Sequence, residues 1–193
     1  MTDAPRPDLL EAGRHWVTVA HPYPLHLRRA EDWARIVDPE ASEEVLLAAL
    51  LHDFERAIPD PDAGWSVASW GDPDYLRYHQ ERSAALASAW LADHGATPAA
   101  RERIGALILH HEEGAPEHDF EVVQAADSLS FLEVNGPEVA LWIDSGRVDP
   151  ADGEAKIRWM RERMLIADPR VLAHADHLLA HCLGAIDGPG RNP

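Results

Sequence analysis

The residues best placed to do chemistry are His52 and Asp53. They close Leu46-Leu47-Ala48-Ala49-Leu50-Leu51, the most apolar run in the chain. Two polar groups ending such a run must be buried or line a cleft, and a buried carboxylate is costly unless it is paired or coordinated. A metal ion removes that cost. Other residues stand in comparable places. His26 lies near the start of one helical segment and His79 within another. His110-His111 follow Ile104, Leu107, Ile108 and Leu109, and Asp127 follows Val122, Val123, Ala125 and Ala126. Gathered from separate helices, these side chains form an imidazole and carboxylate set suited to one or two divalent ions of Fe, Mn, Co, Ni or Zn.

In chain order, His26, His52-Asp53 and Asp127 resemble the H…HD…D signature of the HD-domain superfamily. His79 and His110 or His111 match the intervening histidines of its binuclear members, and the resemblance spans about residues 22–135. It implies that His26, His52, Asp53 and Asp127 hold one metal, while Asp53 bridges to a second held by His79 and His110 or His111. Neighbouring helical residues point about 100° apart, so one of this last pair ligates and the other faces substrate or water. His110 is taken as the ligand and His111 as the contact. The implied reaction is hydrolysis of a small phosphoester, nucleotides included, because paired metals acidify water and clamp phosphoryl oxygens. His52 and Asp53 stand at its centre. The alternative implied by the same ligand set is a diiron oxygenase acting on a small organic substrate.

Departures from better-known branches narrow the expectation. Phe54-Glu55-Arg56 follows the doublet where many relatives carry a lysine, so Arg56 is its stand-in. His110-His111-Glu112 is similar to the cyclic-dinucleotide branch, yet no Gly-Tyr-Pro follows, and the Glu-Asp pair of the alarmone hydrolases is missing. Arg29, Arg56 and Arg82 fall three or four residues after a ligand or its neighbour, within reach of a bound phosphate. Trp65 and Trp70 lie on the loop behind the doublet, where lid or stacking roles are conceivable. His174, His177 and His181 share one helical face but read as a solvated stripe. His15, His21, His94 and His118 read as surface or loop residues, with His21 near enough to His26 to touch substrate.

The elements that must position these groups are all helical. Apolar residues recur at helical spacing almost throughout, and no alternating segment is flanked by hairpin turns. The expected fold is an all-α, compact multi-helix bundle of the HD-domain type, a single domain over residues 1–187 with a disordered tail at 188–193. Helices are predicted over residues 9–19, 25–37, 42–54, 74–93, 98–113, 120–134, 137–145, 150–167 and 169–186. The third is apolar on nearly every side and should be central. Residues 59–73 form an ordered loop.

Composition bounds the partners. A formal net charge of −17 over 193 residues, with acids in nearly every segment, disfavours a nucleic-acid polymer or an anionic membrane. A small phosphorylated molecule remains compatible where a bound cation reverses the local field. The single cysteine, Cys182, fits a reducing compartment. With no signal-peptide pattern and no membrane-length apolar run, the expected location is cytoplasmic. The sequence leaves the oligomeric state open, a homodimer included.

Overall fold

A computed structural model describes residues 8–65 and 67–188. Helix α1 (Leu9–Ala20) is followed by α2 (Pro24–Val37), α3 (Glu43–Leu51) and a 3-10 turn (Phe54–Ala57). Beyond the loop come α4 (Pro73–Asp93), α5 (Pro98–Leu109), α6 (His118–Ser130), α7 (Gly136–Asp144), α8 (Pro150–Glu162) and α9 (Pro169–Ile186). There is no strand among the described residues, so the all-α expectation holds. Among the described residues, no helix is long and apolar enough to cross a membrane. The tail expected to be disordered lies, beyond Gly188, outside the described residues.

Local chemistry sets the helix starts. Ser42 Oγ accepts from the Val45 N–H at 3.3 Å, and Glu43 and Glu44 complement the positive end of the α3 dipole. Proline occupies the first turn of α2, α4, α5, α7, α8 and α9, where its missing N–H has no partner to lose. Every residue of α3 from Val45 to Leu51 is buried, as its all-round apolarity requires. This helix packs against α1, α2, α5 and α6, while α2 runs along α6 and α4 along α5. Gly13 permits the close approach of α1, since a Cβ there would stand 3.1 Å from Leu50 Cδ2.

Four boundaries that bear on the site depart from expectation. Helix α3 stops at Leu51, so His52 and Asp53 stand in the turn after it instead of inside a helix running to Phe54. Helix α5 stops at Leu109, so His110–Glu113 form a turn instead of a last helical turn. Helix α8 stops at Glu162, releasing Arg163 at its C-cap. After Ser130 the chain widens into a π-helical turn (Phe131–Asn135) that runs directly into α7. Such turns re-aim side chains within an otherwise continuous helix. Here Glu133 meets Arg29 while Phe131 and Asn135 line a cavity.

Candidate metal centre

The cluster is assembled from five parts of the chain. The first turn of α2 carries His26, the end of α3 delivers His52 and Asp53, α4 brings His79, the turn after α5 brings His111, and α6 supplies Asp127. Each imidazole uses its Nδ1 outward. His52 Nδ1 donates to the Ala49 carbonyl at 2.9 Å, His111 Nδ1 to the Ile108 carbonyl at 2.7 Å, and His79 Nδ1 to Glu55 Oε1 at 3.0 Å. Ser130 Oγ donates to the His26 carbonyl at 2.6 Å and so accepts from His26 Nδ1 at 2.9 Å. Because these partners accept, each ring keeps a proton on Nδ1, so Nε2 is the nitrogen turned inward and is bare whenever the ring is neutral. That is how outer hydrogen bonds prepare metal-binding histidines.

The inward nitrogens crowd against one another and against two carboxylates, which a proton or a cation must separate. His52 Nε2 is buried without a hydrogen-bond partner, although Asp127 Oδ1 lies 3.2 Å away. His26 Nε2 stands 3.3 Å from the same oxygen, and His79 Nε2 faces His111 Nε2 at 3.2 Å. Opposed lone pairs at these separations repel unless a proton or a cation lies between them. Bonds of about 2.0–2.2 Å to one ion place neighbouring donors roughly 3 to 3.5 Å apart, the spacing seen here. The donors form three overlapping groups: His26 with His52 and Asp53, His52 with His111 and Asp127, and Asp53 with His79 and His111. Asp53 belongs to two of them, its Oδ1 lying 3.0 Å from His79 Nε2 and 3.9 Å from His52 Nε2. These residues could hold a metal ion.

Electrostatics follow from burial opposed by neighbours. Burial alone would push the His52 imidazolium down, but the Asp127 and Asp53 carboxylates outweigh it and raise it to about 9. His79 is likewise raised against burial by its bonds to Asp53 and Glu55. For His111 burial wins and the ring is held down at about 4. Burial opposes ionisation of Asp53 and Asp127 too, yet His52 and, respectively, His79 and Arg163 hold both well below the usual carboxylate range.

Arg163 is a site residue that the sequence did not disclose. Its side chain is 4% exposed and its two terminal nitrogens pair with Glu112 Oε2 and Asp127 Oδ2, while Nε donates to Ser128 Oγ at 3.1 Å. Nothing local marks it, since it ends the polar run Arg161-Glu162-Arg163 and its acidic partners lie 36 and 51 residues away. Glu112, noticed only as part of His-His-Glu, extends its other oxygen to 3.7 Å from His111 Nε2.

The assigned roles need four corrections. The inner histidine is His111, with a side chain 1% exposed, whereas His110 is 40% exposed and pairs with Glu113 at 3.0 Å. With α5 ending at Leu109, it is the second histidine of the pair that turns inward. Arg29 is taken up by Glu133, at 2.9 and 3.0 Å, and by Asp32. Arg82 donates to the Ile58 carbonyl and faces Asp60, so neither arginine lines the cavity beside the cluster. His21 is buried, not superficial, and its Nε2 donates to the Asp53 carbonyl at 3.0 Å, fixing the backbone of the doublet. The histidines of α9 are exposed, as expected of a solvated stripe.

A cavity of about 160 Å³ opens onto the cluster from the side of His26, Asp53, Glu112 and Asp127. Arg56 lines it next to Tyr75, its guanidinium 5.5 Å from that ring. Trp70 lines it as well, whereas Trp65 packs on Tyr75 at 5.6 Å. Lys156 enters the wall from α8. Comparison of the chain with family models, curated proteins and solved structures finds no match.

Proposed function

We propose that this protein is a metal-dependent phosphohydrolase of the HD-domain type, acting on a small phosphoester. The observation that carries the reading is the convergence of four imidazole Nε2 atoms on Asp53 and Asp127 at the wall of a cavity. Its supports are the order of these residues in the chain and the presence of cations where an ester would enter. When bound, divalent ions supply Lewis acidity: they acidify water toward neutrality and offset the charge that develops on phosphoryl oxygens.

The chain's own residues supply orientation and charge. Asp53, common to two donor groups, is suited to join two ions. Glu55, Ala49, Ile108 and Ser130 hold the four rings in the tautomer that keeps Nε2 free. Arg163 holds Asp127 Oδ2, leaving Oδ1 toward His26 and His52. Arg56 lines the cavity together with Asp53, its Nε paired with Glu55 at 3.1 Å, and binds the ester's non-reacting oxygens.

The test is elemental analysis of protein purified without added metal, followed by a phosphoester panel with the matching ion. One or two ions per chain are expected, with phosphate release that Asp53→Asn lowers by at least about a hundredfold. Protein that neither retains an ion nor releases phosphate in an Asp53-dependent way overturns the proposal. Iron loading with oxygen uptake, and no phosphate release under anaerobic conditions, would favour the oxygenase reading.

A further inference from the structure

The cavity wall is chemically divided. Part of it is the charged cluster. It also carries Lys156, the apolar side chains of Phe131, Val139, Trp142, Val148 and Met160, and one further carboxylate, Asp152. Among the described residues, Lys156 Nζ makes no hydrogen bond or ion pair; its near neighbours are the faces of Trp159 at 4.3 Å, Phe131 at 5.3 Å and Trp70 at 5.5 Å. Burial lowers this ammonium to about 8, so it is still mainly charged at neutral pH. Asn135 lines the same stretch, 7% exposed, with its Oδ1 buried and lacking a hydrogen-bond partner. An unpaired lysine on an aromatic wall asks for an anion. The apolar surface beyond it asks for hydrocarbon.

We infer that the cavity takes a small organic phosphate with an apolar or aryl body, its charged head between Lys156 and the metal-binding cluster and its body on Phe131, Val139, Trp142 and Met160. The head position rests on the phosphohydrolase reading, because the carboxylates accept an anion only with metal between. Lys156 then adds a second cation to Arg56, reaching the same anion from α8. Asn135 accepts or donates one hydrogen bond to a polar substituent on the body. A sugar or a nucleobase is a poorer match, since it brings more hydrogen-bonding groups than Asn135 and Asp152 on this wall can meet.

The experiment measures binding of phenylphosphonate, methylphosphonate and adenosine monophosphate to the manganese-loaded protein by calorimetry, with tryptophan fluorescence as a second signal. Phenylphosphonate should bind about tenfold more tightly than methylphosphonate, the ratio that burying one ring confers. Lys156→Met should weaken both phosphonates by roughly tenfold. Trp142→Ala should reduce the phenyl preference and leave methylphosphonate unchanged. Equal affinity for the two phosphonates, or tighter binding of the nucleotide than of phenylphosphonate, overturns the inference; the wild-type ratio decides even if a variant does not fold. Phosphonates have no ester bond to cleave, so the two readings fail separately. Phenyl preference without hydrolysis of any ester counts against the phosphohydrolase alone, while ester hydrolysis without phenyl preference counts against the apolar body alone.

Discussion

At the scale of single residues, the centre depends on which nitrogen of each histidine is left bare. His110 and His111 are adjacent in sequence but opposite in environment, and their variants should separate cleanly. His111→Ala is expected to lower metal affinity by more than about a hundredfold, whereas His110→Ala should leave metal content unchanged; elemental analysis after dialysis reads both. Equal losses would mean that the inward ring has been misassigned. Arg163 gives a second prediction. It is a buried cation shared by Glu112 and Asp127, so Arg163→Met leaves two carboxylates without their counter-charge. In metal-free protein this should cost about 3 kcal/mol of stability, and saturating metal should return part of it, because a cation at the cluster compensates Asp127. Thermal unfolding with and without manganese measures the difference, and a loss of the same size in both would deny the electrostatic role. The sequence exposed the first set of residues and hid the second for one reason. His26, His52, Asp53 and Asp127 interrupt apolar surroundings, which marks them as buried polar groups, while Arg163 stands in a polar run and is buried only by partners distant along the chain.

At the scale of elements, the legible features were those set by local chemistry. The all-round apolarity of Val45–Leu51 identified α3 as central, and first-turn prolines located several helix starts. Helix ends were harder to place, because the turn at His110–Glu113 and the π-helical turn at Phe131–Asn135 answer to the packing of distant segments. The π turn ends at a close contact at Gly136, where an added Cβ would collide with Cys182 Sγ on α9. Cys182 is fully buried there and its thiol donates to the Leu132 carbonyl at 3.1 Å. Gly136→Ala should therefore destabilise the protein by about 1–3 kcal/mol through overpacking. Adding Cys182→Ala should recover much of that loss, since it removes the atom in the way. Chemical denaturation of the two single variants and the double variant checks this, and strictly additive losses would show that the contact is not the cause.

At the scale of the whole molecule, the strong acidity read from the sequence tells little about where individual charges are held. Glu31 shows the distinction. Its side chain is 1% exposed in α2, and it gathers Arg14 at 2.5 Å, Arg35 at 2.8 Å and Arg28 at 3.4 Å, tying α1 to α2 beside the helix turn that carries His26. The i+4 spacing to Arg35 was readable in the sequence; the bond to Arg14, 17 residues back, was not. Burial by itself would raise the Glu31 carboxyl, but the hydrogen bonds from Arg14 and Arg35 outweigh it and hold it below its ordinary value of 4.5. In the folded state this group therefore releases its proton at lower pH than in the unfolded chain. Between the two values the unfolded chain binds more protons, so stability rises with pH through that window. The contribution is complete above the ordinary carboxylate range and disappears as pH falls through the lowered folded value. Glu31→Gln should accordingly cost about 1–3 kcal/mol at pH 7, and the gap from wild type should narrow steadily below the pH at which the unfolded carboxyl is half protonated. Urea midpoints measured on both proteins across that range test the sign directly: a gap that widens on acidification would mean that Glu31 is not held ionised by its arginines.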